Sequence, residues 1–278
     1  MHPLLNIGIR AARRAGEVIA RSIPRLESLQ VTAKGRNDYV SEVDHAAERD
    51  IIDTIRRHYP EHAILAEESG VSGEHETRWI IDPLDGTTNF LHGFPVFAVS
   101  IACEHRGKTE IGVVYDVMRQ ELFTATRGGG SHLENRRMRV SKQRLLEGSL
   151  IATGFPYRAN IQHADAYLQM LRVIMTEAAG IRRPGAAALD LAYVAAGRVD
   201  GFWEFGLQPW DTAAGALLIQ EAGGRIGTLD GGDYAHGGHL VAGNPKVYAA
   251  LLEAIAPYLA AMNAAPEADA AVPAQPPR

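Results

Sequence analysis

The 278-residue chain has little of several features that define common classes of protein. Its one cysteine, Cys103, rules out an internal disulfide and lies in an apolar run, where a buried inert thiol is expected. No stretch reaches the roughly 18 consecutive apolar residues of a membrane-spanning helix. The first residues have neither a basic start nor a long apolar segment, so no export signal is predicted. We expect a cytoplasmic protein that does not enter a membrane.

Basic residues are fewer than acidic ones: the chain has 28 Lys and Arg against 33 Asp and Glu, so its net charge is -5. An acidic protein has no overall attraction for nucleic-acid phosphates, so direct nucleic-acid binding is not expected. The sequence contains no internal repeat. Its hydrophobic content of 46% is that of a globular protein, as one large domain or two of moderate size.

Changes in apolar spacing along the chain predict a mixed α/β protein. Helical spacing predicts two helices near the start, before any obvious strand. Five β-rich runs follow, three of which are predicted to form a mostly antiparallel sheet, and the second half alternates strands with helices. The predicted helices are 3–22, 41–59, 167–177, 187–196, 211–221 and 247–259, and the predicted strands are 62–66, 78–82, 97–104, 109–115, 121–126, 150–153, 201–205 and 240–242.

A polar segment at 141–148 is the predicted boundary between two halves. On this division residues 1–146 form an N-terminal α+β half and residues 147–262 form a C-terminal α/β half. The same segment equally fits a long surface loop inside one domain. Residues 263–278 are rich in Ala and Pro without apolar periodicity, and we expect a disordered tail there.

The segment 79–90, WIIDPLDGTTNF, carries the clearest chemical signal. Three apolar residues lead to Asp82, and Pro83 disfavours a helix just before it, so a buried strand is predicted to end at a polar site. Asp85 follows, and after Gly86 the side chain of Thr87 can cap a helix whose positive end attracts anions. The segment therefore offers two oxygen ligands of the kind that Mg²⁺ prefers, beside a potential phosphate site.

Each acid of interest also has an ordinary structural explanation when it is taken alone. Asp82 and Asp85 fit a strand followed by an Asp-Gly turn, in which carboxylates cap backbone amides. Glu67, at the end of a predicted strand, fits a solvated charge, and Asp211 fits a helix N-cap. If the fold gathers them, these acids supply enough oxygens for two or three divalent cations, an arrangement that serves phosphate ester hydrolysis.

Two separate segments resemble the two signature motifs of the inositol monophosphatase family. They are 79–90 and 209–224, PWDTAAGALLIQEAGG, in the family's order. The similarity extends from about residue 3 to residue 259, and the segments 1–7 and 188–198 are most similar to the bacterial SuhB-type members. The resemblance implies a layered αβαβα sandwich, shared with fructose-1,6-bisphosphatases, and a Mg²⁺-dependent, lithium-sensitive phosphomonoesterase.

The resemblance also implies roles for the acids. Glu67, Asp82 and the backbone carbonyl of Leu84 would hold one cation. Asp82, Asp85 and Asp211 would hold a second, and Glu67 would contribute to a weaker third. The cations would activate a water molecule for in-line attack on phosphorus and neutralise charge on the leaving oxygen.

Further residues are implied to position water and phosphate. The backbone N–H groups of Gly86 and Thr87 would bind the phosphate at a helix start. Thr87 would orient the attacking water, with Asp44 hydrogen-bonded behind it. The pattern Ser41-x-x-Asp44 equally fits a helix capping box. The residues implied to contact substrate are Leu84, Asp85, Gly86, Thr87, Arg182, Glu204 and Asp211.

Arg182 and Glu204 are implied to contact the alcohol part of the substrate. A carboxylate such as Glu204 can accept hydrogen bonds from ring hydroxyls, although an exposed Glu at a strand end is also common. Arg182 equally fits a surface pair or a subunit contact. Many relatives have Ser or Thr after the glycine that matches Gly185, whereas this chain has Ala186. The missing hydroxyl bears on inositol preference more than on phosphatase activity.

We therefore expect a homodimeric inositol-1-monophosphatase with two to three Mg²⁺ ions per subunit, acting on myo-inositol 1-phosphate and related polyol phosphates. A first alternative is a fructose-1,6-bisphosphatase or 3'-phosphonucleotide phosphatase, because these enzymes share the metal motif. A second is an accessory role in the transcription antitermination assemblies that produce ribosomal RNA, which the resemblance to SuhB-type proteins also implies. In this antitermination role the protein's partners would be other proteins.

Overall fold

The computed structural model describes residues 2–35, 38–156, 158–234 and 236–263. In this part of the chain the helices are α1 Pro3–Ser22, α2 Glu42–Arg56, α3 Thr87–Leu91, α4 Ala164–Glu177, α5 Ala187–Ala195, α6 Pro209–Glu221, α7 Pro245–Ile255 and α8 Leu259–Asn263. The strands are β1 Val31–Gly35, β2 Asp38–Ser41, β3 Ala63–Ala66, β4 Gly70–Ser72, β5 Thr77–Asp85, β6 Ala98–His105, β7 Lys108–Asp116, β8 Glu121–Thr126, β9 Gly130–Leu133, β10 Arg136–Arg137, β11 Leu150–Thr153, β12 Gly180–Arg182, β13 Gly201–Leu207, β14 Arg225–Thr228 and β15 Gly238–Gly243.

These elements form alternating layers of helices and sheets. Helices α1 and α2 cover one face of an eight-stranded sheet with the strand order β10-β9-β8-β7-β6-β5-β3-β4. Helices α5 and α6 lie between this sheet and a five-stranded sheet with the order β12-β11-β13-β15-β14. Helices α4 and α7 cover the far face of the second sheet. The expected αβαβα sandwich is confirmed.

The first helix shows why the sequence packs in this way. Pro3 stands at the first helical position, where its missing N–H costs nothing. The buried stripe of α1 includes the small residues Ala11, Ala15 and Gly16. A Cβ atom at Gly16 would overlap the ring of Tyr115 on β7, so glycine permits the close approach of helix and sheet.

A tight hairpin joins two strands of the predicted antiparallel sheet. Strands β6 and β7 pair antiparallel, and His105 is the partner of Lys108. Arg106 and Gly107 form the turn between them with φ angles of 51° and 73°. Positive φ at both positions is typical of the two-residue turns that fit the twist of a hairpin. Within this hairpin, Cys103 on β6 is fully buried and burial raises its thiol pKa, as expected for an inert cysteine.

Several short strands were not predicted from the sequence. The hairpin of β1 and β2 precedes α2, so the expectation that two helices come before any strand is wrong. Strands β4, β10, β12 and β14 are sheet edges and β9 lies next to one, where fewer buried side chains leave a weak apolar pattern. The predicted strand 78–82 also extends to Asp85.

The predicted two-half division stays a prediction. Residues between β10 and β11 connect the two sheets, but α5 and α6 from the second half pack directly on the first sheet and share one apolar core with both sheets. Of the predicted tail 263–278, Asn263 ends α8, and residues 264–278 lie outside the described residues. Among the helices of the described residues, none has the length and apolar character needed to cross a bilayer.

Candidate metal and phosphate site

Two neighbouring strands bring Glu67 and Asp82 together. Strands β3 and β5 are parallel, and Ala66, the last residue of β3, pairs with Ile81. The backbone N–H of Glu67 donates to the carbonyl of Ile81 at 3.1 Å, which continues the pairing by one residue. The chain leaving β3 therefore places Glu67 beside Asp82, as the acidic ends of the two predicted strands indicated.

A bulge in β5 places Asp82 and Asp85 in one site. Residues three apart on a regular strand point to opposite faces of the sheet. The pairing with β6 shifts between Asp82, opposite Ser100, and Asp85, opposite Ala98, so β5 contains one extra residue here. Pro83, which has no N–H to give to the ladder, lies in this irregular stretch. Both aspartates are buried, with exposures of 2% and 9%.

Asp211 lies in the first turn of α6 and performs a capping role. Its Oδ2 accepts a hydrogen bond of 2.7 Å from the backbone N–H of Gln208, which is the N-cap residue, and the two residues form a capping box. Asp211 is therefore the third helical residue and not the N-cap itself. The same carboxylate faces the acidic cluster, since its charge raises the pKa values of Asp82, Asp85 and Glu204.

Electrostatics define the cluster as a site for positive charge. Burial is the main cause that raises the pKa values of Asp82 and Asp85 well above their ordinary range. Neighbouring carboxylates add to the shift, namely Glu67, Asp85 and Asp211 at Asp82, and Asp211, Glu204 and Glu67 at Asp85. A cation bound among these acids would favour their ionised forms. The oxygen-only donor set fits a hard divalent cation.

The carboxylates of the cluster do not surround a common metal position. Within the described residues, no three His, Cys, Asp or Glu side chains form a group that could hold a metal ion. Backbone amides engage part of the set: Asp82 Oδ1 accepts from the N–H of Leu84 at 2.9 Å, and Asp85 Oδ2 accepts from Ala188 at 2.7 Å. Hydrogen bonds to the backbone therefore hold one oxygen of each aspartate.

Gly86 and Thr87 form the turn from β5 into α3. Gly86 has a φ angle of 95°, and a Cβ atom there would lie 2.9 Å from the carbonyl oxygen of Val96. Both the backbone conformation and the lack of space require glycine. The N–H groups at the start of α3 have no intrahelical acceptors, which makes them available to an anion.

The Thr87 hydroxyl connects this turn to α2. Its Oγ1 lies 2.9 Å from Asp44 Oδ1 and 3.1 Å from the carbonyl oxygen of Leu84. The other oxygen of Asp44 accepts hydrogen bonds from the backbone N–H and the hydroxyl of Ser41, at 2.8 and 2.6 Å. The predicted capping box is confirmed, and the same carboxylate also contacts Thr87.

Glu204 belongs to the inner part of the second sheet. It lies within β13, and a Cβ atom at Gly154 would overlap its carboxyl group, so glycine at that position makes room for it. Burial, with a further contribution from Asp211, raises the pKa of Glu204 to about 8, while Arg183 opposes the shift. Glu204 thus faces the cluster.

Asp190 is a further buried acid near the cluster that was not predicted as a site residue. It is 1% exposed, and its Oδ1 has no hydrogen-bond partner within the described part of the chain. Burial, then the charges of Glu204 and Asp85, raise its pKa well above the ordinary range. The available signal was a single acid inside the apolar run 186–196.

The two adjacent arginines differ in their surroundings. The guanidinium of Arg182 is exposed and donates to the preceding backbone carbonyl at 3.0 Å. Arg183 lowers the pKa values of Glu204 and Asp190, and its guanidinium carbon lies 5.1 Å from the centre of the Phe155 ring. Arg183 is therefore the arginine with electrostatic contact to the cluster, whereas the family resemblance implied Arg182.

Known proteins share this fold and these motifs. The inositol monophosphatase family model matches residues 1–260. A Pseudomonas aeruginosa protein named Nus factor SuhB is 57% identical over 265 residues, which cover 93% of this chain and 98% of that protein. The structure of extragenic suppressor protein suhB from Bartonella henselae matches with a TM-score of 0.89 at 47% identity, covering 91% of this chain and 98% of that one. An inositol monophosphatase structure from Anabaena matches with a TM-score of 0.78 at 37% identity, covering 91% and 95%.

The chain belongs to the inositol monophosphatase family. The family membership predicted from the segments 79–90 and 209–224 is confirmed, as is the similarity to SuhB-type proteins. Membership and fold support a phosphatase.

Proposed function

We propose that the protein is a Mg²⁺-dependent phosphatase that hydrolyses myo-inositol 1-phosphate and related polyol phosphates. The observation that carries this proposal is the cluster of acids beside the start of α3, in which burial and mutual repulsion raise the pKa values of Asp82 and Asp85. A cation would relieve that repulsion, and the N–H groups of the adjacent turn suit a phosphate.

The proposed cation ligands follow the family pattern. Glu67, Asp82 and the carbonyl of Leu84 would hold one ion, and Asp82, Asp85 and Asp211 would hold a second. Glu67 would also contribute to a third. Bound divalent cations would supply Lewis acidity that activates water and stabilises the negative charge of the leaving oxygen.

Thr87 is suited to orient the attacking water. Its hydroxyl proton is directed to Asp44 or to the carbonyl of Leu84, so the lone pairs of Oγ1 remain to accept a hydrogen bond from water. The N–H groups of Gly86 and Thr87 would bind the phosphate oxygens. Together these contacts hold the phosphate and the water in fixed relative positions, which is the main protein contribution to phosphoryl transfer.

The alcohol part of the substrate is proposed to lie against the second sheet. A carboxyl group with a pKa of about 8, as at Glu204, can accept hydrogen bonds from the hydroxyls of a polyol or, when protonated, donate one to them. Arg182 stays a proposed substrate contact, and Arg183 joins it because of its electrostatic contact with Glu204.

The activity is tested by phosphate release from three substrates, myo-inositol 1-phosphate, fructose 1,6-bisphosphate and a 3'-phosphorylated nucleotide, each with Mg²⁺ and with EDTA. We expect Mg²⁺-dependent turnover with the highest kcat/KM for myo-inositol 1-phosphate. A strong preference for either other substrate would replace the proposed specificity. Lithium is expected to inhibit, and the mass in solution is expected to be that of a homodimer.

We also propose a second role, as an accessory factor for proteins of ribosomal RNA transcription antitermination in the cytoplasm. The supporting observation is the 57% identity to a protein named Nus factor SuhB. The net charge of -5 favours protein partners over RNA. Asp82→Asn separates the roles, because a binding role through the surface survives loss of the acid. Loss of the cellular function in this variant would tie that function to catalysis.

A further inference from the structure

Helix α5 begins without a capping side chain of its own. Ala186 occupies the N-cap position with extended backbone angles, and its methyl group cannot accept a hydrogen bond. The first turn is buried, with Ala187 7% and Ala188 0% exposed, so water has little access to the free N–H groups. Buried backbone N–H groups need an acceptor, which must come from elsewhere in the fold.

Asp85 provides that acceptor. Its Oδ2 accepts the hydrogen bond of the Ala188 N–H at 2.7 Å, at the short end of the normal range for N–H···O bonds. Ala188 is the second residue of α5, and a normal N-cap side chain binds the second or third N–H of its helix. Asp85 ends β5 and stands 103 residues earlier in the chain, so the cap comes from a different layer.

A second hydrogen bond also links the segment around α3 to the start of α5. The side-chain amide of Asn89 on α3 donates to the carbonyl of Pro184 at 2.8 Å, just before α5 begins. Asp85 and Asn89 lie on either side of the turn at Gly86 and Thr87. The segment that carries the candidate phosphate site therefore also holds the approach to α5 and its first turn.

We propose that Asp85 is the N-cap of helix α5, and that α5 in return positions Asp85 by fixing Oδ2 and leaving Oδ1 free to bind a cation. The capping part of this proposal requires no cation. The positioning part rests on the proposed function, in which Asp85 is a cation ligand. Hydrogen bonds of this kind orient ligating carboxylates in metal sites.

Hydrogen exchange of residues 183–193, measured by mass spectrometry in EDTA, tests the capping part. Loss of a cap in Asp85→Ala is expected to speed exchange of the first turn about fivefold to tenfold. Asp85→Asn keeps an acceptor oxygen and should remain protected. Asp82→Ala is the matched control, because Asp82 is also buried but binds Leu84 in its own strand. Wild-type exchange in Asp85→Ala would overturn the proposal.

A rescue variant distinguishes loss of the cap from general damage. Ala186→Ser places a hydroxyl acceptor at the N-cap position and should restore protection of α5 in the Asp85→Ala background. Ala187→Ser lies inside the helix and should not restore it. Equal effects of the two serines would show that Asp85 does not act as the cap.

Calorimetric titration with Mg²⁺ tests the positioning part. In an otherwise wild-type chain, Ala186→Ser competes for the N–H that holds Asp85, and we expect about tenfold weaker Mg²⁺ binding, with Ala187→Ser close to wild type. Unchanged affinity in Ala186→Ser would refute positioning. If wild type binds no Mg²⁺, the proposed function and the positioning part both fail, while the exchange experiment in EDTA still decides the capping part.

Discussion

Thr87 and Asp44 are joined by a hydrogen bond of 2.9 Å that links the start of α3 to the first turn of α2. The other oxygen of Asp44 closes a capping box with Ser41. Since a carboxylate bound on both sides has little freedom, the Thr87 hydroxyl is held in one orientation. The residue proposed to orient water therefore has a rigid support.

Removal of the Thr87 hydroxyl is expected to affect turnover more than binding. Thr87→Val keeps the shape of the side chain but removes the acceptor for water, and kcat should fall about 100-fold with little change in KM. Thr87→Ser is the matched control and should retain most of the activity. Steady-state phosphate release measures both. A kcat for Thr87→Val above one tenth of wild type would contradict the role.

The two functions of Asp44 can be separated at Ser41. Ser41→Ala removes the hydroxyl of the capping box but leaves Asp44 in contact with Thr87, so stability should fall by about 1 kcal/mol with activity near wild type. Asp44→Ala should lose both stability and kcat. Urea unfolding and phosphate release measure the two effects, and equal activity in the two variants would show that Asp44 only caps α2.

Asp190→Asn is expected to stabilise the protein in a pH-dependent way. Because burial raises its pKa, Asp190 keeps its proton in the folded protein above pH about 3.9, where the unfolded chain releases it. Wild-type stability therefore falls as pH rises through this range, and the variant escapes the loss. In EDTA, the variant should match wild type near pH 4 and exceed it by about 1 kcal/mol or more near pH 8. A difference that stays constant with pH would contradict this assignment.

Glu104 is a buried charged residue outside the candidate site. It is 2% exposed and lies 2.9 Å from Arg78 and 3.0 Å from His236. Burial alone would raise its pKa, but the two partners outweigh burial and hold it below the ordinary value. The resulting stability is present above the unfolded pKa of about 4.3 and is lost as pH falls through the lower folded value. Glu104→Gln should cost about 2 kcal/mol at pH 7 and less at pH 3.

An exposed ion pair supplies the control for Glu104. Glu76 and Arg106 lie 2.9 Å apart, with side chains 60% and 69% exposed. Glu76→Gln should change the free energy of unfolding by no more than about 0.5 kcal/mol, because solvent screens such pairs. Similar losses in both variants would mean that burial does not strengthen the Glu104 interactions.

The neighbouring arginines give a comparison within one segment. Arg183→Ala removes the positive charge that acts on Glu204 and Asp190 and is expected to raise KM for myo-inositol 1-phosphate about tenfold. Arg182→Ala, with its exposed guanidinium, should change KM less. Initial-rate kinetics over a range of substrate concentrations separates them, and the opposite order would restore Arg182 as the principal contact.

The sequence was sufficient for those parts of the fold and site that depend on local patterns. The apolar run into Asp82 and the glycine at 86 predict a strand, a turn and a helix start within a few residues. Pairings between distant residues could not be predicted, because nothing local specifies that Asp85 reaches Ala188 on α5. The bulge in β5 could not be predicted from the sequence either, although it places Asp82 and Asp85 in the same site. Edge strands such as β12 lack a strong apolar pattern.

The most direct test is Mg²⁺-dependent phosphate release from myo-inositol 1-phosphate by wild type, Asp85→Asn and the surface control Asp53→Asn. We predict turnover that requires Mg²⁺ in wild type, is retained in Asp53→Asn and falls at least about 100-fold in Asp85→Asn, because a neutral amide is a poor ligand for a hard cation. A folded wild-type protein without turnover in Mg²⁺, or full activity in Asp85→Asn, would contradict the proposed site.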